Sequence, residues 1–335
     1  MRTRVAIVVA LLLAAAVVAW WLLRDDPTDH RLTRPEDLSA ATRAIAEAVP
    51  DALRESGTPG AEVAVTEDGE VAWSQGFGVD RTTVLQAGSI SKSVAAAAVL
   101  TLAEEGLVDL DTPVTAYLRT WSLPGDFPDP DAVTLRRLLS HTAGIGTPGY
   151  LGRPAARPLP TTAQALDGIW QSEEVDAYAY SGGGFTIAQE VVEEVTGEPF
   201  AETVGRTVLA PLGMTSSGYA CTQGGPEAGA GYRYAEAAAA GLCTTADDLA
   251  RFAAWLGSDD PRAVAMRAPA AGTGEHYGLG TEIDGDTVGH LGVNRGFHAE
   301  LRVDPAAGVG LVVLTNGDRG GEVVDAVFRA WHDAG

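Results

Sequence analysis

Ser89 and Lys92 form the pair of side chains in this sequence with the clearest capacity for chemistry. Near the start of a helix, residues i and i+3 lie on one face, so the hydroxyl and the amine would be neighbours. The helix N-terminus would also turn unpaired N–H groups and a partial positive charge towards whatever the serine attacks. The pair is therefore a candidate nucleophile and base.

Lys92 is the only lysine in the chain, and all the other Lys/Arg positions are arginine. Arginine keeps its proton in proteins, whereas a desolvated lysine can lose it. The single lysine therefore stands where a titratable amine would matter. A Ser-x-x-Lys match also arises by chance, so other residues must support the interpretation.

Two further sites follow in chain order. Tyr180 and Ser181 lead into Gly182–Gly184 and a predicted helix, and His290 lies near the end of a predicted strand, five residues before Arg295. Each has an ordinary alternative: a tyrosine is more often packed than basic, and a surface arginine is as often solvated as bound to a carboxylate.

The elements that would position these residues follow a simple order. Alternating apolar residues predict a hairpin over 61–79 and further strands over 277–315. Between them, residues 89–276 are predicted to be mostly helices separated by Pro/Gly-rich loops. Strands are only marginally stable outside a larger sheet, so the two sets are predicted to form one antiparallel sheet. The fold class is therefore α+β: a sheet of N- and C-terminal strands flanked by helices, with a large, mainly helical insert.

Some finer predictions concern individual segments. Pro50 is expected to kink or restart the first helix, a helix is expected from Ser89 to Glu105, and a strand over Tyr277–Ile283. The long loops Trp121–Asp131 and Gly144–Thr162 are expected to form walls of a site.

The N-terminus predicts export. Two arginines precede the uncharged run Val5–Leu23, so residues 1–26 are interpreted as an N-terminal transmembrane anchor or signal sequence, followed by a linker at 27–36 and a catalytic domain at 37–335. The length of the run and Trp20-Trp21 at its end favour an uncleaved single-pass anchor with the domain outside the cytoplasm. The alternative is a protein secreted after signal-peptide cleavage.

Composition excludes some classes of function. The chain of 335 residues carries a formal net charge of −22 and lacks a basic stripe for phosphates, which argues against nucleic acid. No zinc-protease or EF-hand pattern occurs, so no metal and no cofactor are predicted. Cys221 and Cys243 could pair in an exported domain or remain two buried thiols.

The ordered set of motifs resembles the β-lactamase-related serine hydrolases, which include class C β-lactamases, D-Ala-D-Ala carboxypeptidases, other penicillin-binding proteins and esterases. The resemblance covers nearly all of the predicted domain and implies the β-lactamase/transpeptidase-like fold. The segments that carry it, besides the three sites, are Leu138–Ile145, Val195–Phe200, Pro211–Met214 and Tyr277–Gly280.

The resemblance also implies roles for individual residues. Ser89 would be the acylated nucleophile and Lys92 would take its proton. Tyr180, acidified by the nearby ammonium, would complete the base. His290 would stand in the place of the lysine in the family's Lys-Thr-Gly box. His141 is interpreted as a buried core residue instead.

The substrate-binding residues implied by the resemblance are Gly292, Val293, Gly182 and Arg295. Gly292 would let the substrate lie along the strand, and the N–H groups of Ser89 and Val293 would form the oxyanion hole.

Two departures from the family's pattern limit the substrate. Gly182 stands where the family usually has asparagine, and His290 where it has lysine, so an amide donor and a fixed positive charge are missing. We expect an exported serine hydrolase that acts through an acyl-enzyme on an ester or amide, as an esterase, a D-amino-acid peptidase or a weak β-lactamase. The partner is a small-molecule or peptide substrate, with cell-wall compounds among the options. The alternative is a penicillin-binding or sensor module that does not turn over.

Overall fold

The computed structural model of the chain describes residues 38–172, 174–220 and 231–334. The predicted anchor (1–26), the linker (27–36) and Cys221 lie outside these residues. Within them, no helix is both long enough and apolar enough to cross a membrane.

One six-stranded antiparallel sheet joins the two ends of the described chain. The strands are β1 (Ala61–Glu67), β2 (Glu70–Phe77), β7 (Glu282–Asp284), β8 (Thr287–Asn294), β9 (Phe297–Asp304) and β10 (Val309–Thr315). Their spatial order is β2-β1-β10-β9-β8-β7, so the first hairpin pairs with the last strand. This confirms the predicted sheet and its antiparallel pairing. Two-residue strands form two small additional sheets: β3 (Leu85–Gln86) with β6 (Cys243–Thr244), and β4 (Arg153–Pro154) with β5 (Tyr232–Arg233).

The helices separate into those that cover the sheet and those of the insert between β3 and β7. In chain order, the described helices are α1 (Ala40–Ser56), α2 (Ser91–Glu104), α3 (Leu135–Leu139), α4 (Thr162–Ala165), α5 (Gly182–Thr196), α6 (Phe200–Val204), α7 (Ala237–Ala240), α8 (Ala246–Gly257), α9 (Pro261–Arg267) and α10 (Gly320–Ala334). Helices α1 and α10 pack on each other, α10 also packs on β9 and β10, and α8 packs on β1, β2, β9 and β10. Strands β1 and β10 are buried along almost their whole length.

Helix α2 is the centre of the insert. Its residues from Ser91 to Leu100 are all buried, as its apolar residues on every side predict. Four consecutive alanines, 95–98, let other helices approach its backbone closely. Helix α2 therefore carries residues at its first turn into the interior of the domain.

Three local predictions differ from the structure. Helix α1 is continuous through Pro50, with neither a break nor a restart. A short 3₁₀ turn, Gly88–Ile90, precedes α2, so the α-helix begins at Ser91 and not at Ser89. The predicted strand Tyr277–Ile283 is largely wrong, because only its last two residues belong to β7.

Backbone hydrogen bonds explain the lost strand. The N–H groups of Leu279 and Gly280 donate to Met266 and Leu139 in the insert, at 3.1 and 2.8 Å, so they are not available to a neighbouring strand. A Cβ on Gly278 would lie 2.0 Å from the Met266 carbonyl oxygen. This segment therefore connects the insert to the sheet instead of extending the sheet.

Glu62, on β1, is a fully buried carboxyl at the start of α8. Its Oε2 accepts a hydrogen bond from the Ala246 N–H at 2.8 Å. Burial raises the pKa of this carboxyl to about 9, and the nearby Asp247 and Asp248 add to the effect. The folded state therefore holds a proton on Glu62 that the unfolded chain releases near its ordinary pKa of about 4.3.

We predict that Glu62 makes the protein less stable as pH rises from about 5 to about 9, since a folded-state pKa above the unfolded value contributes stability that is lost through this range. Glu62→Gln keeps a neutral hydrogen-bonding side chain that does not titrate, so the stability of this variant should change less with pH in this range. Urea midpoints across the range measure the effect. The exposed carboxylate of Glu70, on β2, provides the control variant Glu70→Gln. Parallel profiles for Glu62→Gln and wild type would contradict the prediction.

Candidate active site

Ser89 lies in the short turn that leads into α2. The Gly88–Ile90 turn follows β3 directly, and Ser89 is half-buried between two buried neighbours. The Ser91 hydroxyl fixes the position of the turn, because it donates to the Gly88 carbonyl and accepts from the Leu242 N–H at 2.9 Å. Gly88 has φ +53°, a conformation that favours glycine. The turn thus presents the Ser89 hydroxyl on a fixed backbone.

Lys92 extends from the first turn of α2 towards Ser89. Its Nζ lies 3.0 Å from Ser89 Oγ and donates to the Ala239 carbonyl in α7 at 2.8 Å. The residue is 2% exposed. Burial lowers its pKa to about 7, although the Glu282 carboxylate raises it slightly. A substantial fraction of the amine is therefore uncharged at neutral pH.

Tyr180 completes the group around Ser89. Its ring centroid lies 4.9 Å from Lys92 Nζ, and it shares a hydrogen bond with the Ser89 side chain. The expected acidification of its phenol is wrong: burial raises the pKa of Tyr180 above its ordinary value, and the hydrogen bond with Ser89 opposes this only in part. The phenol therefore keeps its proton at neutral pH. Of the two candidate bases, Lys92 is the one that can be deprotonated there.

His290, on β8, is close to this group but not accessible from solvent. The residue is 1% exposed, and its ring centroid lies 6.1 Å from that of Tyr180. Its Nδ1 is 2.6 Å from the Leu291 carbonyl oxygen, and its Nε2 is 3.1 Å from the Tyr277 hydroxyl. Burial lowers the pKa of His290 to about 4, so the ring is neutral at physiological pH. His290 therefore supplies no positive charge for a substrate.

Two buried residues in contact with this group were not identified as site residues from the sequence. His141, expected to be a core residue, is buried, but its ring lies 4.4 Å from the Tyr180 ring and accepts a hydrogen bond from the Ser181 N–H at 3.0 Å. Tyr277 is buried between His141 and His290. The only sequence signals were the two segments of the family resemblance that contain them.

Two glycines, Gly88 and the predicted substrate-binding Gly292, bring the serine turn and β8 together. A Cβ on Gly88 would lie 2.6 Å from the Val293 nitrogen, and a Cβ on Gly292 would lie 2.0 Å from the Ala87 carbonyl oxygen. The Val293 side chain is 50% exposed. The backbone N–H groups of Ser89 and Val293, the predicted oxyanion hole, are therefore on two segments in close contact.

Gly182 and Arg295, the other two predicted substrate-binding residues, each lie beside a tyrosine. A Cβ on Gly182 would come within 3.2 Å of the Tyr150 ring, whose hydroxyl is 2.9 Å from that of Thr186. Tyr150 therefore occupies space beside the position where the family has asparagine. Arg295 is exposed, and its guanidinium lies 4.2 Å from the centroid of Tyr232 and donates to that tyrosine's hydroxyl at 2.7 Å.

The remaining predictions concern a metal site and a disulfide bond. In the described ranges, no cluster of three or more His, Cys, Asp or Glu side chains could hold a metal ion. Cys243 is disulfide-bonded, while Cys221, its predicted partner, lies outside the described residues.

The arrangement fits nucleophilic catalysis. A half-buried hydroxyl contacts an amine whose pKa lies near neutrality, and a phenol that keeps its proton lies beside both. An amine of this kind can accept the serine proton, and the phenol can pass a proton on.

Residues 43–335 match the Beta-lactamase family. The chain is 30% identical to penicillin-binding protein 4 of Amycolatopsis lactamdurans over 83% of this chain and 86% of that protein. It is 31% identical to esterase EstB of Burkholderia gladioli over 58% of this chain and 54% of the esterase. The chain spans 43% of the length of another relative, PbpX of Bacillus subtilis (strain 168).

A solved structure of similar fold is the D-amino acid amidase from Ochrobactrum anthropi SV3 complexed with L-phenylalanine amide. The TM-score is 0.70 at 22% identity, covering 88% of this chain and 99% of the amidase. A β-lactamase/D-alanine carboxypeptidase from Yersinia pestis gives a TM-score of 0.72 at 19% identity, covering 88% of this chain and 98% of that one. These likenesses support the β-lactamase/transpeptidase-like fold.

We predict that Gly88→Ala lowers acylation of Ser89 by at least about tenfold, since the new methyl group would push the serine turn away from Val293 and strain a positive φ. Gly125→Ala is the matched control, because a Cβ there meets nothing within 4 Å. The rate of labelling by a fluorophosphonate measures the effect. Equal rates in both variants would show that the contact with β8 does not position the serine.

Proposed function

This chain belongs to the Beta-lactamase family, and we propose that it is a serine hydrolase that forms an acyl-enzyme on an ester or amide. The observation that carries the proposal is the 3.0 Å contact between Ser89 Oγ and the buried Lys92 amine, whose pKa is lowered to about 7. The esterase among its relatives and the amidase among its structural neighbours support the same class of reaction.

Acylation would begin with transfer of the Ser89 proton to Lys92 as Oγ attacks the carbonyl carbon of the substrate. The carbonyl oxygen becomes an oxyanion, for which the N–H groups of Ser89 and Val293 are the proposed donors. Collapse of this intermediate breaks the bond to the leaving alcohol or amine, which takes a proton from Lys92 through the Tyr180 hydroxyl. The acyl group remains on Ser89.

Deacylation would run the same steps with water as the nucleophile. Water gives a proton to the base, attacks the acyl carbon and releases the carboxylic acid, and Ser89 Oγ takes back its proton. Tyr180 suits the role of relay because its phenol stays protonated. Lys92 suits the role of base because its amine lies 3.0 Å from Ser89 Oγ, is held there by its hydrogen bond to the Ala239 carbonyl, and has a pKa lowered to about 7 by burial.

The proposed substrates have leaving groups without a carboxylate. His290 is neutral and buried, and the next residue, Leu291, exposes an apolar side chain where the family's box has threonine. The Glu282 carboxylate lies 3.6 Å from His290 and is paired with Arg302 at 2.6 Å, so these two charges offset each other beside His290. Short esters and amino-acid amides are therefore favoured over penicillins and peptides that end in a free carboxylate, including those of the cell wall.

A second candidate function is that of a penicillin-binding or sensor module without turnover. The relative from Amycolatopsis lactamdurans bears the name of a penicillin-binding protein, and Gly182 removes a family amide. A burst of acylation without steady release of product would favour this function, whereas sustained turnover of a nitrophenyl ester would reject it.

We also propose that the domain works outside the cytoplasm, held by residues 1–26. The support is the uncharged run Val5–Leu23 behind two arginines. Cys243 is disulfide-bonded, which suits an oxidising compartment. Carbonate extraction of membranes from cells that express the full chain would retain an anchored protein and release one that has been cleaved.

We predict that a fluorophosphonate labels the wild type and leaves Ser89→Ala unlabelled. Lys92→Arg should lose at least about a hundredfold in labelling rate, since a guanidinium keeps the charge but cannot accept a proton. Ser93→Ala is a control on the same helix, because its hydroxyl donates to the Gly280 carbonyl and not to Ser89. Near-normal labelling of Lys92→Arg would assign the lysine an electrostatic role only.

We predict that kcat/KM for a neutral nitrophenyl ester rises with pH through a single ionisation near 7. The free enzyme must carry an uncharged Lys92, and its pKa is lowered to about 7. A rate that keeps rising up to about pH 10, the ordinary range of lysine, would contradict this assignment.

A further inference from the structure

We propose that Tyr277 is a positioning residue that joins the segment of Tyr180 to β8 through a one-way chain of hydrogen bonds. The chain runs from the Ser181 N–H through His141, Tyr277 and His290 to the Leu291 carbonyl. The inference rests on the proposed function for its catalytic consequence, whereas the chain itself can be measured without any substrate.

The direction of each hydrogen bond follows from the two ends. The Ser181 N–H can only donate, so His141 Nδ1 accepts at 3.0 Å and the ring proton of neutral His141 is on Nε2. The Leu291 carbonyl can only accept, so His290 Nδ1 carries a proton at 2.6 Å and Nε2 is the acceptor. The nearby Glu282 carboxylate, 3.6 Å from His290 Nδ1, favours the same tautomer.

Tyr277 is the residue that makes these two histidine tautomers compatible. Its hydroxyl lies 3.2 Å from His141 Nε2 and 3.1 Å from His290 Nε2. It therefore accepts from the first ring and donates to the second, the one arrangement that satisfies both. A phenol can do both at once, whereas phenylalanine would leave a buried donor and a buried acceptor without partners.

The chain stays neutral because each histidine lone pair already accepts a hydrogen bond, and because both rings are buried. Burial lowers the pKa of His141 well below its usual range, and a proton on Lys92 or His290 would lower it further. The groups that face the chain are Lys92 on α2, Tyr178 and Tyr180 in the segment before α5, Glu282 on β7 and Arg302 on β9. No proton can leave at either end, since each end is a backbone group.

The two ends of the chain are next to reacting groups. Ser181 follows Tyr180 and caps α5, its Oγ accepting from the Gly184 N–H at 3.1 Å. Leu291 precedes Gly292 and Val293, which contact the serine turn. Tyr277 itself is held by its carbonyl, which accepts from Ala270 N–H and the Thr273 hydroxyl at 2.9 Å each. The chain thus fixes the distance between the Tyr180 phenol and the proposed oxyanion donor of β8.

The chain is tested first in the wild type, by long-range ¹H–¹⁵N NMR of the histidine side chains. Six histidines are present, and His141→Gln and His290→Gln assign the two signals. We expect His141 as the Nε2–H tautomer and His290 as the Nδ1–H tautomer, both unchanged from about pH 5.5 to about pH 8. Titration of either ring in this range, or the opposite tautomer of either, would overturn the proposal.

The catalytic consequence is tested with Tyr277→Phe. We expect kcat for a nitrophenyl ester to fall by about tenfold or more with KM changed less than about twofold, since positioning is lost but the substrate surface is kept. Tyr178→Phe is the matched control: its ring packs on the same His141 and Tyr277 rings, 5.8 and 5.5 Å away, and we expect little change.

The outcomes separate the two proposals. A folded Tyr277→Phe with normal kcat would overturn the positioning role even if the wild-type tautomers are as expected. If the wild type hydrolyses no ester, the proposed function fails while the tautomer measurement still decides whether the chain exists. If Tyr277→Phe does not fold, two other measurements decide: the histidine tautomers of the wild type and the fluorophosphonate labelling rate of His290→Gln. A normal labelling rate for His290→Gln would overturn the proposal.

Discussion

The burial of the Lys92 amine beside Ser89 is the constraint on which the rest of the site depends. Burial removes the water that would stabilise an ammonium here, so it favours the uncharged amine. The pKa of Lys92 is therefore lowered to about 7. Helix α2 produces this burial because its alanines let neighbouring helices pack against the whole of its first turns. The Ala239 carbonyl and the aromatic rings of Tyr180 and Phe185 complete the surroundings of the amine. The base is thus a product of packing as much as of residue type.

The sheet and the insert must meet closely for this base to serve a reaction. Two glycines, Gly88 and Gly292, allow the serine turn to contact β8 through backbone atoms alone. On the other side of the site, the hydrogen bonds of Tyr277 connect β8 to the segment of Tyr180. The family has a charged lysine at the position of His290. His290 differs from it because its ring is neutral and because the buried ring takes part in this connection. A neutral histidine in place of a charged lysine on β8 suits neutral leaving groups.

Much of this site could be predicted from the sequence, and the reason is that its signals are local. The predicted contact between Ser89 and Lys92 forms despite the unexpected 3₁₀ turn, because residues i and i+3 still meet on one side of the chain. The antiparallel sheet followed from alternating strands at both ends. His141 and Tyr277 are 136 residues apart in the sequence and meet only through tertiary packing. No spacing in the sequence could therefore predict their contact. The raised pKa of Tyr180 was missed for a related reason: burial opposes the charged phenolate, and burial cannot be measured from a motif.

Lys92 can act as a base only if it loses its proton near neutral pH, and the sequence offers a direct way to measure that pKa. Because Lys92 is the only lysine, protein labelled with ¹³C- and ¹⁵N-lysine gives one side-chain signal, with no need for substrate or mutation. We expect the Cε and Nζ chemical shifts of this signal to titrate with a midpoint near 7. A midpoint near 10.4, the ordinary value for a solvated lysine, would contradict it.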